Sequence, residues 1–260
     1  MTLREMIQFE KEESYDEGVA EGIEQGNGEF IMQIKVNNIN LFYTCTGSGA
    51  PLIMLHGNGE DHTIFDEAVE VLSKHFTVYA IDTRGHGQSE KVEEFHYDDM
   101  AEDIRIFIEK LQLEKPILYG FSDGGIIGLL LASKYPELLS KVIGSGVNVN
   151  PDGLVKGWHF IFKIIYFFNR SPLFKLMLTE PDITAEELGK ITIPVFLTGG
   201  SKDMIEQKHM KYVTDSIPGG KLTIFNGEKH GSYIIHSQKI AEVILELCEL
   251  NDSEKNRYTG

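Results

Sequence analysis

The sequence predicts an α/β fold: a mostly parallel sheet with helices on both faces and a small helical cap inserted into it. Three observations carry this reading. Short all-apolar runs, of the kind that form fully buried parallel strands, alternate with segments whose apolar residues recur at helical spacing. That alternation repeats along most of the chain, which is how helices come to cover both faces of a parallel sheet. One stretch, 148–192, breaks the alternation and is too aromatic for a surface loop.

Taken in order, IMQIKV (31–36) and NLFYTC (40–45) read as two strands around the turn Asn37-Asn38. PLIML (51–55) is a buried parallel strand, and Phe65, Ala68, Val69 and Leu72 share one helical face. FTVYAID (76–82) is the next strand. Met100, Ile104, Phe107, Ile108 and Leu111 mark an amphipathic helix. PILYGF (116–121) is a strand followed by the apolar helix GGIIGLLLASKY, and KVIGSG (141–146) is another strand. After the break come the strand IPVFLTGG (193–200), a helix near 205–215 and the last strand, KLTIF (221–225). Ile240, Val243, Ile244, Leu247 and Cys248 mark the last helix. The resulting division is a core over 30–147 and 193–250, a cap over 148–192, an acidic extension over 1–29 and a short tail over 251–260. Residues 1–29 hold nine acids and two bases, with Gly18, Gly22 and Gly26 four residues apart. A helix so punctuated is marginal in water, so the segment reads as a solvated tail, with a partner-binding helix as the sharper alternative.

Composition narrows the function. The 260 residues carry a formal charge of -16, which argues against nucleic acid or an anionic membrane as the main partner. No apolar run is long enough to span a bilayer, and the first residues lack the apolar core of a secretory signal. Cys45 and Cys248 are the only cysteines, too few for a disulfide scaffold, so a cytoplasmic protein is expected. There is no H-E-x-x-H and no metal-like Cys/His spacing, and Gly47-Ser48-Gly49 matches neither a P-loop nor a dinucleotide fingerprint.

The sharpest chemical signal is Gly120-Phe121-Ser122-Asp123-Gly124, a G-x-S-x-G with a strand before it and a helix after it. Such a turn lifts the serine Oγ out of the sheet and puts the following N–H at a helix N-terminus. A serine hydroxyl needs a base to become a nucleophile. His230 comes after the last strand, and Asp203 after IPVFLT. The bland readings are a surface histidine and a capping acid. Position after those strands, and the order Ser122, Asp203, His230, favour a serine–acid–histidine triad.

On these motifs, with Leu55-His56-Gly57-Asn58-Gly59 and Asp82-Thr83-Arg84-Gly85-His86-Gly87-Gln88-Ser89, residues 31–250 resemble the α/β-hydrolase superfamily. The resemblance implies an oxyanion hole built from the N–H groups of Asn58 and Asp123, and scaffold roles for His56 and His86. It implies two-step acyl transfer without metal or organic cofactor, on a small-molecule ester. A serine at 122 disfavours dehalogenase and epoxide-hydrolase chemistry, which uses aspartate there. The residue after it, Asp123, reads either as helix-dipole compensation or as a side chain that selects an amine-bearing substrate, as in hydrolases of amino-acid esters. Trp158, Phe162 and Tyr166 are spaced by four, so one helix face could line an apolar substrate pocket, or simply pack. Aminopeptidase-like, thioester and C–C bond hydrolysis share the triad. A hydrolase-fold ligand receptor is the rival of another class, and deletion of 1–29 separates the two, because only a receptor would lose its partner.

Overall fold

The computed structural model describes residues 23–25 and 28–255. Among the described residues nine strands form one sheet: β1 (Ile23–Gln25), β2 (Glu29–Val36), β3 (Ile39–Gly47), β4 (Ala50–Leu55), β5 (Phe76–Ile81), β6 (Ile117–Phe121), β7 (Lys141–Ser145), β8 (Val195–Gly200) and β9 (Lys221–Phe225). Their spatial order is β1-β2-β3-β5-β4-β6-β7-β8-β9. The pairs β1–β2, β2–β3 and β3–β5 are antiparallel, and every pair from β5–β4 to β8–β9 is parallel. The two-residue turn between β2 and β3 uses Asn37 and Asn38, both at positive φ (41° and 65°), which matches the twist of an antiparallel hairpin.

The helices are α1 (Asp66–Leu72), α2 (Tyr97–Lys110), α3 (Asp123–Lys134), α4 (Lys156–Asn169), α5 (Pro172–Thr179), α6 (Ala185–Leu188), α7 (Gln207–Asp215) and α8 (Lys239–Lys255). Strand alternation divides the buried residues between two layers. Ile53, Leu55, Tyr79 and Ile81 pack on one face with α2 and α3. Leu52, Met54, Val78 and Ala80 pack on the other with α1 and α8. Helix α3 is buried from Asp123 to Ser133, as expected of a helix apolar on all sides.

Two boundaries differ from the sequence reading. Residues 23–25, placed in the acidic extension, pair with β2, and Glu29 opens β2; most of that extension lies outside the described residues. Helix α8 continues to Lys255, past the expected start of the C-terminal tail at 251. In the insertion between β7 and β8, Ile183, Leu188 and Ile191 belong to the main core rather than to a separate cap. Among the described residues no helix is long and apolar enough to cross a membrane.

The Asp82–Ser89 turn is a scaffold. Asp82 is fully buried and accepts the N–H groups of His62 and Gln88, at 2.8 and 2.7 Å. Arg84 donates to Asp103 of α2 through Nε (2.6 Å) and Nη2 (2.7 Å), tying turn to helix. His56 Nε2 accepts the Thr83 N–H at 3.0 Å, so its proton sits on Nδ1, which donates to Gly57 O at 2.8 Å. Burial, aided by His86, pushes His56 down to about 4. A neutral imidazole with both nitrogens engaged holds loops together.

Candidate active site

Strand β6 and helix α3 meet at Ser122, whose backbone is at φ 50°, ψ -111°. Few non-glycine residues adopt such angles, and they persist only where the surroundings enforce them. Here Ser122 N–H donates to Ser145 O of β7 (2.8 Å), and Gly124 N–H donates to His56 O (3.2 Å). The turn also needs its glycine: a Cβ on Gly124 would lie 2.2 Å from Leu55 O.

His230 stands beyond β9. Its Nε2 is 3.1 Å from Ser122 Oγ and its Nδ1 2.7 Å from Asp203 Oδ1. The ring lies close over Gly146, where a Cβ would come within 2.6 Å of it. A buried hydroxyl chain anchors the turn just past His230: Tyr233 Oη to Thr198 Oγ1 (3.0 Å), Thr198 to Ser145 Oγ (2.7 Å), and Tyr119 Oη donating to Ser145 (3.1 Å).

Asp203, in the turn after β8, also accepts the N–H groups of Ile205 (3.0 Å) and Gly200 (3.2 Å). Burial alone would raise its carboxyl. The His230 hydrogen bond and charge and those two N–H groups outweigh burial and hold it below its ordinary value. An ionised Asp203 places the imidazole proton on Nδ1, which leaves Nε2 free to take the Ser122 proton. The three residues singled out in the sequence are therefore in hydrogen-bond contact.

Asn58 sits on the loop after β4, beside the Ser122 turn, and its Nδ2 donates to Asp123 Oδ2 at 3.0 Å. Tyr97 Oη donates to Asp123 Oδ1 at 2.7 Å. The Asp123 carboxyl is thus buried between two donors, and burial pushes it up while those bonds oppose the rise. A cavity beside Ser122 is lined by Tyr97, Asp123, Asn148, Met177 and Glu180, with Leu154, Met204 and Ile205 as its other apolar wall. Glu180 accepts from Tyr97 N–H (3.1 Å) and contacts His96 Nδ1 (2.7 Å).

Trp158, Phe162 and Tyr166 do not line this cavity. Phe162 packs instead with Leu154, Ile205 and Met210, and its ring meets Trp158 and Phe174 at 6.0 and 5.6 Å. The three share a helix face, but only Phe162 is buried, between cap and core; Trp158 is exposed and Tyr166 half-buried.

Tyr97, Glu180 and Glu60 escaped the sequence reading. Glu60 Oε2 accepts the Gly57 N–H at 3.0 Å, on the loop that faces Ser122. Its position three residues after that glycine is the only local signal. Burial pushes its carboxyl from 4.5 to about 7, against the Gly57 N–H and His230 and with a contribution from Asp123. Between those two values the folded chain keeps a proton that the unfolded chain releases, so this group lowers stability as pH rises. The gain in Tm of Glu60→Gln over the native chain is therefore expected to widen as pH is raised through that window. A gain that stays constant would count against the shift.

Asp61, His62 and Asp82 bring three ligand atoms within 4.8 Å of one another, the one such group among the described residues. They are already engaged: His62 Nδ1 with Asp82 (2.7 Å), and Asp61 with Thr63 N–H (3.0 Å).

A family model described as alpha/beta hydrolase fold matches residues 50–171. The human serine hydrolase BPHL is 26% identical, over 82% of this chain and 86% of its own length. The AB hydrolase superfamily protein YisY of Bacillus subtilis is 39% identical over a shorter stretch, 38% of this chain and 37% of the relative. Among solved structures, a bromoperoxidase from Bacillus anthracis superposes with a TM-score of 0.74 at 21% identity, over 84% of this chain and 99% of that one. The enol-lactonase from Burkholderia xenovorans superposes at 0.71 with 18% identity, over the same shares. By the matched segment and by sheet topology, this chain has the α/β-hydrolase fold.

Proposed function

We propose that the chain is a serine hydrolase that cleaves small carboxylic esters through an acyl-enzyme. The observation that carries this is the unbroken hydrogen-bonded line Ser122–His230–Asp203. Ser122 Oγ attacks the ester carbonyl while its proton passes to His230 Nε2. The resulting oxyanion is held by the N–H groups of Asn58 and Asp123, and Asp203 stabilises the imidazolium. His230 returns the proton to the leaving alkoxide. Water, deprotonated by the same nitrogen, then releases the acid and restores Ser122. Turnover of p-nitrophenyl acetate, butyrate and octanoate, with labelling by a fluorophosphonate, tests the proposal. Absence of both turnover and labelling would overturn it in favour of a receptor or an inactive relative. The enol-lactonase among the structural relatives keeps cyclic esters within the substrate class to be assayed.

The cavity favours a second, narrower reading. Two carboxylates, Asp123 and Glu180, line it beside Ser122. Paired acids facing a reacting ester suit a substrate bearing an ammonium group. Asp123→Asn is then expected to lower kcat/KM for an aminoacyl ester by about tenfold more than for a neutral ester, the worth of one charge-assisted hydrogen bond. Equal losses on both would remove Asp123 from substrate selection.

A further inference from the structure

Helix α4 has two apolar faces and only one of them is covered. Phe162 is 7% exposed on the inward side. On the other side Phe160 (65%), Phe167 (64%) and Phe168 (79%) stand in solvent, with Ile161 and Ile164 between them. These five positions recur at helical spacing and make one stripe along more than two turns. A contiguous apolar patch of this kind marks an interaction surface.

Charge indicates the occupant. Residues 153–179 contain no Asp or Glu and carry Lys156, Lys163, Arg170 and Lys175, in a chain of net -16. Lys175 pairs with Glu94, 3.6 Å away. The Arg170 guanidinium lies over the rings of Tyr166 (5.4 Å) and Phe167 (5.5 Å), at the border of the apolar stripe. An aromatic face edged by basic side chains is the pattern of a helix lying in a lipid–water interface. A second copy packed antiparallel on the same face would bring Lys163 and Arg170 of both copies together, like charge against like. The acidity of the whole chain does not oppose lipid, because charges farther than about 8 Å are screened at physiological ionic strength. The reading of the whole sequence against a membrane partner rested on net charge, and this patch is its local exception.

We propose that the outward face of α4 docks the protein on an anionic lipid surface. Helix α5 carries Met177 to the cavity beside Ser122, and its Phe174 packs on Phe162 of α4, so the docking face and the cavity wall belong to one small unit.

Trp158, the single tryptophan, lies on this helix at 42% exposure, next to the exposed stripe, and its emission gives a second readout of docking. The test is co-sedimentation of the full chain with phosphatidylcholine vesicles, with and without phosphatidylglycerol, followed also by Trp158 emission. The expected result is binding roughly a hundredfold tighter to the phosphatidylglycerol vesicles, from three basic side chains near the surface. A blue shift of Trp158 and weakening by salt should accompany it. Phe167→Glu with Phe168→Glu should abolish binding and leave turnover of a soluble ester unchanged. Lys163→Glu should keep weak binding and lose part of the preference for anionic lipid. Absence of both pelleting and blue shift overturns the proposal. So does a dimer in light scattering that the double phenylalanine substitution splits, which would assign the face to a second copy.

Discussion

Ser122→Ala is expected to lower kcat for p-nitrophenyl ester hydrolysis by about a millionfold, the scale seen when the nucleophile of such a triad is removed. What remains is the catalysis that an oxyanion site and binding supply without a nucleophile. The substitution removes one hydroxyl and its bond to His230 Nε2. It leaves the bonds that hold the turn, Ser122 N–H to Ser145 O and Gly124 N–H to His56 O. Alanine at φ 50° is no more strained than serine there, so Tm should move by only a few degrees. Fluorophosphonate labelling should vanish with turnover. An alanine variant that folds and retains more than about a hundredth of the activity would remove Ser122 from the chemistry, since no triad nucleophile is so dispensable.

Asp203→Asn is expected to lower kcat by about ten-thousandfold with little change in KM. The carboxylate has two jobs at Oδ1 and one at Oδ2. Oδ1 accepts from His230 Nδ1 and from Ile205 N–H, and Oδ2 accepts from Gly200 N–H. Asparagine keeps one oxygen. Turned so that its NH2 meets His230, it places the imidazole proton on Nε2, where the Ser122 proton must go. Turned the other way, it meets the Gly200 N–H with a second donor and still lacks the charge that stabilises the imidazolium. Either orientation loses the transition state more than the bound substrate, which is why kcat falls and KM does not. A loss under about tenfold would make Asp203 a turn residue only, the bland reading that the sequence left open.

The candidate site was the most legible part of the chain because its residues sit on local turns. Gly120, Ser122 and Gly124 identify a strand-to-helix corner whatever surrounds it. Asp203 and His230 each come just after a strand whose apolar run is visible by itself, and adjacent parallel strands deliver the loops at their C-terminal ends to the same edge of the sheet. Three-residue β1 was not legible, since a strand that short is defined by its hydrogen bonds to β2 rather than by composition. Glu60, Tyr97 and Glu180 were missed for a related reason: they reach the site from a loop after β4, the start of α2 and the end of α5, segments unrelated in sequence.

Helix α4 separates the two kinds of information. By itself the sequence determined that Trp158, Phe162 and Tyr166 share a face, because a 3.6-residue period dictates it, just as alternation dictates which residues of β4 and β5 point each way. Only the tertiary structure decided what that face meets. Phe162 meets Leu154, Ile205 and Met210, behind the cavity wall that Leu154 and Ile205 form, Trp158 stays exposed, and five other apolar side chains of the same helix remain in solvent. Periodicity is a property of one element's backbone. Burial and pKa arise from where several elements converge, and that convergence is set by packing the whole sheet and its helices at once.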